Sequence, residues 1–237
     1  MPKQEKLDSI ASPTNRMSSA QWAYVMLRER LLRFSILPSQ RINEATLASE
    51  LNISRTPIRE ALNRLVAEGL LVDRDRGFSV PDLRPELVKE LFEARGEIEC
   101  STVRLACERA REDDLERLDV FLQESAKESP DASVDRLIEL DIRFHDTIAR
   151  LSGNQVLRKM LSNLNDRIHL VRWIAMEGRR QRTQTQHQAI LERMRARDIQ
   201  GATSLMRQHI LHRNDDILAA IKAAYGHVYT LPRDTAE

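Results

Sequence analysis

Four side chains with the chemistry of cation ligands stand where amphipathic helices would place apolar ones. Val134, Ile138, Asp141, His145 and Ile148 recur at spacings of four, three, four and three, the interior stripe of a helix. Asp141 and His145 occupy the centre of that stripe. One turn apart, they project to the same side and can meet one cation. Burying a carboxylate and an imidazole costs several kcal/mol unless they are paired or ligate a metal. His187 precedes Ile190, Leu191 and Met194 on a second apolar stripe, and His209 follows Leu205 and Met206 on a third. Three histidines and one carboxylate from three helices suit a borderline divalent ion such as zinc, nickel or manganese. The spacing equally allows a buried Asp–His pair with two satisfied core histidines.

A different chemistry is concentrated in LASELNISRTPIREALNRLVAEGLL. Leu47 and Leu51, then Ile58, Leu62, Leu65 and Val66, supply a small core at helical spacing. The residues left outside it, Ser54, Arg55, Thr56, Arg59 and Asn63, are hydrogen-bond donors gathered at the start of one helix. A helix that reads the major groove enters by its N-terminal part, which also favours a phosphate. Arginine offers a bidentate fork to guanine or phosphate, while serine and threonine hydroxyls mostly fix register. Residues 16–80 hold ten basic side chains against seven acidic, a net of +3 in a chain whose overall net charge is +1. That local excess suits a DNA footprint, although a solvated helical face would carry similar charges.

The elements that must position these groups follow from periodicity and breakers. Helices are expected over about 18–34, with Trp22, Val25, Met26 and Leu31 as its apolar positions, then over 44–51 and 55–69. Ser54 is a natural N-cap of the third and Gly69 its stop. Strands at 70–73 and 78–80, joined by a charged turn ending in Gly77, complete a winged helix-turn-helix over 18–80. Two prolines make 81–85 the linker. Six helices are expected beyond it, over 86–109, 112–128, 133–151, 154–176, 181–197 and 199–224. Residues 1–17 and 225–237 read as tails. The fold class is mainly α.

SRTPIREALNRLVAEGLL resembles the signature of the GntR superfamily of winged-helix regulators. The resemblance extends through Arg41-Ile42-Asn43-Glu44 and through Gly77-Phe78-Ser79-Val80. It implies that Arg55, Thr56 and Arg59 contact DNA, with Gly77 at a wing tip near the minor groove. Where the family usually has Pro-Gly before the second helix, Pro38 is followed here by Ser39. Asp141-x-x-Phe144-His145, Leu151-Ser152-Gly153-Asn154, His187-x-x-Ile190 and Met206-x-x-His209 resemble the FCD ligand-binding domain of the FadR-type branch, and six helices resemble its shorter, VanR-like subgroup. In metal-binding members, the residues matching Asp141, His145, His187 and His209 hold the ion. Gln186 stands where the family often has Glu before the third ligand, a neighbour whose loss is expected to alter the support of the ligands but not ligation itself. Leu91-Phe92-Glu93-Ala94-Arg95-Gly96-Glu97-Ile98-Glu99 resembles the helix whose arginine points into the effector cavity. Arg95 is thus a candidate for a small carboxylate effector, the alternative being a salt bridge with Glu99. His169, His212 and His227 match no ligand position.

Composition agrees with a globular chain: 237 residues, 41% hydrophobic and 31% charged, with only 7 Gly. There is no run of 18 apolar residues and no signal-peptide core at the start, so a cytoplasmic location is expected. Cys100 and Cys107, seven apart on one helix, stand roughly 10 Å from each other and are expected to stay reduced. The expected function is a homodimeric repressor on a pseudo-palindromic operator, released by a small organic acid bound near the ion. A metal sensor is the first alternative. A metal-dependent hydrolase is the second, although no general base is identifiable and no enzymatic role is expected.

Overall fold

The computed structural model describes residues 17–74, 77–82, 84–129, 131–169, 171–172 and 180–211, which fall into two compact units, one ending at Asp82 and the other beginning at Leu83. Among the described residues there are nine α-helices and one two-stranded sheet. None of the described helices is long and apolar enough to cross a membrane.

The first unit holds α1 (Ser19–Leu32), α2 (Glu44–Glu50), α3 (Arg55–Ala67), β1 (Val72–Arg74) and β2 (Gly77–Ser79). The Ser18 side chain caps α1 by accepting from the Gln21 amide, and Asn43 Oδ1 caps α2 by accepting from Ala45 and Thr46. Such caps satisfy amides that no helix can pair internally, each contributing about 1 kcal/mol. The core is Ala23, Leu27, Leu31, Leu47, Leu51, Ile58, Leu62, Leu65, Leu71 and Phe78. Val25, expected on the apolar face of α1, is instead 40% exposed, because Ala23 and Leu27 face inward with Met26 and Leu31.

The strands differ from expectation at their start. Leu70 and Leu71 read as strand, yet both amides turn back to the Leu65 carbonyl and both side chains enter the core. Gly69, at φ +74°, permits that reversal, and pairing begins only at Val72. The hairpin registers Val72 with Ser79, Asp73 with Phe78 and Arg74 with Gly77. The segment before α2 joins its edge: Ile42 donates to the Phe78 carbonyl at 2.9 Å, and Val80 donates to that of Gln40 at 3.0 Å. Ser39 keeps the turn that glycine would make, at φ +65°, with its amide on the Val80 carbonyl and its hydroxyl on Asp82.

The second unit holds α4 (Pro85–Arg109), α5 (Glu112–Ala126), α6 (Val134–Leu151), α7 (Gln155–Arg167), α8 (Arg180–Arg195) and α9 (Ile199–Leu211). Pro85, read as linker, is the first residue of α4, where a missing N–H costs nothing. α4 is the central element, packed against α6, α7, α8 and α9. Ser152-Gly153-Asn154 reverses the chain between α6 and α7: Gly153 takes φ +67°, and Asn154 Oδ1 accepts from the Val156 and Leu157 amides. A single helix over 154–176 is not what forms. α7 ends at Arg167, Ile168 leaves helical geometry at φ −99°, and a further turn carries the Arg172 amide to the Ile168 carbonyl. The expected extension of the last helix to 224 lies outside the described residues beyond Leu211.

Candidate functional site

Asp141 and His145 lie one turn apart on α6, His187 on α8 and His209 on α9, each no more than 3% exposed. On the α6 side of the stripe Ile138 is buried and Ile148 packs in the core, and Ile190, Leu191 and Met194 do the same for α8. The ring of Phe144 stacks on His187 at 3.8 Å between centroids, which fixes that imidazole in its plane. Each of the four residues presents one ligand atom, and these atoms lie within 4.8 Å of one another.

The imidazoles face the same point with the same atom. His209 Nε2 is 3.2 Å from both His187 Nε2 and His145 Nε2. Asp141 Oδ1 is 3.4 Å from His187 Nε2 and 3.7 Å from His145 Nε2, and it makes no hydrogen bond although wholly buried. Two of the outer nitrogens are engaged: His145 Nδ1 meets Glu99 Oε2, and His209 Nδ1 meets Gln186 Oε1 at 2.9 Å. With Nδ1–H donating outward, the Nε2 atoms of His145 and His209 keep their lone pairs toward the centre. Gln186 serves its imidazole as a neutral acceptor.

Around the four runs a buried charged frame. Burial would raise the Asp141 carboxyl, yet the Arg172 guanidinium and the neighbouring imidazoles hold it well below the usual range. Arg172 reaches Asp141 Oδ2 through Nη2 and Asn165 Oδ1 through Nη1 at 2.9 Å. Glu99 is likewise opposed by burial, but Arg95 and His145 bring it down to about 2. Arg95 donates from Nε to Glu99 Oε1 at 2.6 Å, while its Nη1 and Nη2 are buried without any hydrogen-bond partner. Salt bridge and available fork therefore coexist in one side chain.

Glu99 as a support of His145, Arg172 as a support of Asp141, and Asn165 as a partner of Arg172 were missed from sequence. Glu99 had a signal, since it falls on the same buried face of α4 as Phe92, Arg95 and Val103. Arg172 had none, because its position depends on the break at Ile168. Cys100 and Cys107 are both buried and free, as expected, and burial pushes the Cys107 thiol up to about 11. His169 is half-buried, while His212 and His227 lie outside the described residues.

In the first unit, α3 buries Ile58, Ala61, Leu62 and Leu65 and leaves Ser54, Arg55, Thr56, Arg59 and Asn63 exposed. Ser54 occupies the N-cap with an extended backbone, but its hydroxyl makes no cap bond. Its oxygen therefore stays available, as do the α3 amides it would otherwise have satisfied. The rear of α3 is locked to α1: Tyr24 donates to Glu68 at 2.8 Å, and Arg64 lies 3.6 Å over the Tyr24 ring while bonding Gln21 at 2.7 Å. Gly77 takes φ +98° in the wing, with open space where a Cβ would stand.

Comparison with known proteins gives concordant results. A model described as bacterial regulatory proteins, gntR family, matches residues 20–80, and one of the FCD domain matches residues 90–212. The chain is 37% identical over 199 residues to the Nta operon transcriptional regulator of Aminobacter aminovorans, covering 84% of this chain and 94% of that protein. It is 32% identical over 201 residues to the HTH-type transcriptional repressor GlaR of Escherichia coli (strain K12), covering 79% and 90%. Its fold matches the solved structure of McbR/YncC from E. coli with a TM-score of 0.70, at 23% identity, over 88% of this chain and 99% of that one.

Proposed function

The chain belongs to the gntR family of bacterial regulatory proteins, carries an FCD domain and is a DNA-binding transcriptional regulator, and from that premise we propose that it is a repressor released by a small organic acid held at a metal ion. The observation that carries the proposal is the convergence of Asp141 Oδ1 with three imidazole Nε2 atoms, two of them in rings, His145 and His209, whose outer nitrogens are engaged elsewhere. An unsatisfied, wholly buried carboxylate oxygen is costly, and a cation removes that cost. Asp141, His145, His187 and His209 would hold zinc, nickel or manganese; zinc suits the nitrogen-rich donor set best. When bound, the ion supplies a Lewis-acidic position for a carboxylate oxygen.

Arg95 does the rest of the recognition. Its two unpartnered Nη groups form the fork that a carboxylate accepts bidentately, and Glu99 holds that fork in place. This favours an organic acid over metal occupancy alone as the signal. On the first unit, Ser54, Arg55, Thr56, Arg59, Asn63 and Gly77 would meet the operator. A homodimer in the cytoplasm would set two such units on a pseudo-palindrome. The acid acts only through its different affinities for the DNA-competent and incompetent forms.

Elemental analysis of protein purified without chelator tests the first half: about one divalent ion per chain is expected. A chain that arrives metal-free and takes up no zinc, nickel or manganese on titration ends the proposal. Arg95→Gln tests the second half. It should abolish acid-induced release from DNA while metal content and acid-free operator affinity persist.

A further inference from the structure

The resemblance that singled out Arg55 and Arg59 as DNA contacts runs through a third arginine of the same unit without giving it a role. Most of this unit's described guanidiniums are already engaged inside it. Arg30 meets Glu50 at 2.6 Å, Arg33 meets Glu29 at 2.7 Å, Arg64 meets Glu68 at 3.3 Å and Arg74 meets Asp82 at 3.2 Å. Arg28 is engaged as well. Three described arginines have no such partner: Arg55 and Arg59 on the exposed start of α3, and Arg41. The first two are the expected readers of DNA. The third shares their condition and is likewise exposed.

Its place in the fold is fixed by backbone bonds. Arg41 lies opposite Ser79 in an antiparallel bridge, between the Ile42-to-Phe78 and Val80-to-Gln40 hydrogen bonds. It is thus tied to β2, the strand that begins at Gly77 on the wing. Side chains alternate along such a segment, and Ile42 packs against the core, so its neighbour Arg41 belongs to the outer face. Two residues later Asn43 caps α2. We propose that Arg41 is a third DNA contact, a phosphate-binding guanidinium at the base of the wing. A phosphate contact on a rigid backbone would set how deeply the wing and α3 approach the duplex, and would carry no sequence preference of its own.

Fluorescence anisotropy over a range of salt concentrations tests this with the full chain and two labelled duplexes. One duplex has mixed sequence, and the other is enriched by selection on the immobilised protein. Losing one phosphate contact lowers the slope of log affinity against log salt by about 0.9. Arg41→Ala should show that loss on both duplexes, with affinity falling several-fold by the same factor on each. Arg41→Lys, which keeps the charge, should retain the slope, and Arg33→Ala should leave it unchanged. An Arg41→Ala slope equal to wild type overturns the proposal, and so does a loss confined to the selected duplex, which marks a base contact. A slope lost equally in Arg41→Lys also overturns it, because the effect would then come from the wing's folding.

Discussion

The two units handle polar side chains in opposite ways. At the start of α3, the donors Arg55 and Arg59 are exposed and left unmatched by their own chain, so their partner must come from outside. In the second unit, Asp141, Glu99, Arg95, Arg172 and the three histidines are buried and matched to one another except at a few atoms. Among those exceptions, Asp141 Oδ1 and the Arg95 Nη pair belong to side chains that a metal ion or an acid could satisfy. An exposed donor costs nothing while it waits, because water satisfies it. A buried unmatched atom costs roughly 1–3 kcal/mol, so its persistence points to a ligand. Exposure therefore points to the first candidate site only together with motif and placement, whereas the second is marked by burial together with the convergence of four ligand atoms.

The largest expected effect breaks the second site alone. His187→Ala or His209→Ala removes a ligand and its share of the buried network, and metal content should fall from stoichiometric to near zero. Chelation of wild-type protein should mimic the variants, lowering the melting temperature of the second unit; binding at 1,000-fold excess over Kd is worth about 4 kcal/mol. Operator affinity without acid should survive in both variants. Anisotropy and elemental analysis on the same preparations check the pair of claims.

Next in size, Arg55→Ala and Arg59→Ala should each cost about 1–3 kcal/mol of operator affinity, since each removes one charge-assisted contact. Metal content and melting temperature should not move, because neither side chain has an intramolecular partner to lose. Unchanged affinity in both would sink the reading of α3.

A finer contrast concerns Gln186, which touches His209 but not the proposed ion. Gln186→Ala should weaken metal binding by about tenfold, the low end of what outer partners contribute. Gln186→Glu should strengthen it, since a carboxylate raises the basicity of the imidazole more than an amide does. Competition with a chromophoric chelator reads both. Equal affinity across all three would reduce Gln186 to a packing residue.

What was legible in the sequence follows the same divide. Asp141, His145, His187 and His209 stood out because a polar residue on an apolar stripe is a contradiction that periodicity exposes. Arg55 and Arg59 stood out only once the string around them was seen to resemble a known signature. Elements were legible where breakers punctuate them, as at Gly69 and Ser152-Gly153-Asn154. They were misread where none does: Leu70-Leu71 is an apolar pair that either a strand or a helix exit could bury, and the break at Ile168 has no glycine or proline to mark it. Arg172 was invisible for that reason, since its meeting with Asp141 and with Asn165 depends on where the chain goes after α7.

The smallest effect concerns Ser39, on which the wing's support rests. At φ +65° a residue with a Cβ is strained by about 1 kcal/mol, and glycine would relieve it. Glycine also frees the unfolded chain, at about 0.5–1 kcal/mol, and forfeits the hydroxyl bond to Asp82, worth about as much. These terms nearly cancel, so Ser39→Gly should lie within about 1 kcal/mol of wild type. Ser39→Val has no such compensation: it keeps the strain, adds branching against it and loses the bond, and should cost at least about 2 kcal/mol. Urea unfolding in a Trp173→Phe background, where Trp22 is the one remaining tryptophan, reports on the first unit. The turn also sets the pairing of residues 40–42 with β2, so Ser39→Val should lower the salt slope of DNA binding as Arg41→Ala does, while leaving metal content untouched. A Ser39→Val protein as stable as wild type would mean that the turn adapts without strain, and that the wing does not depend on it.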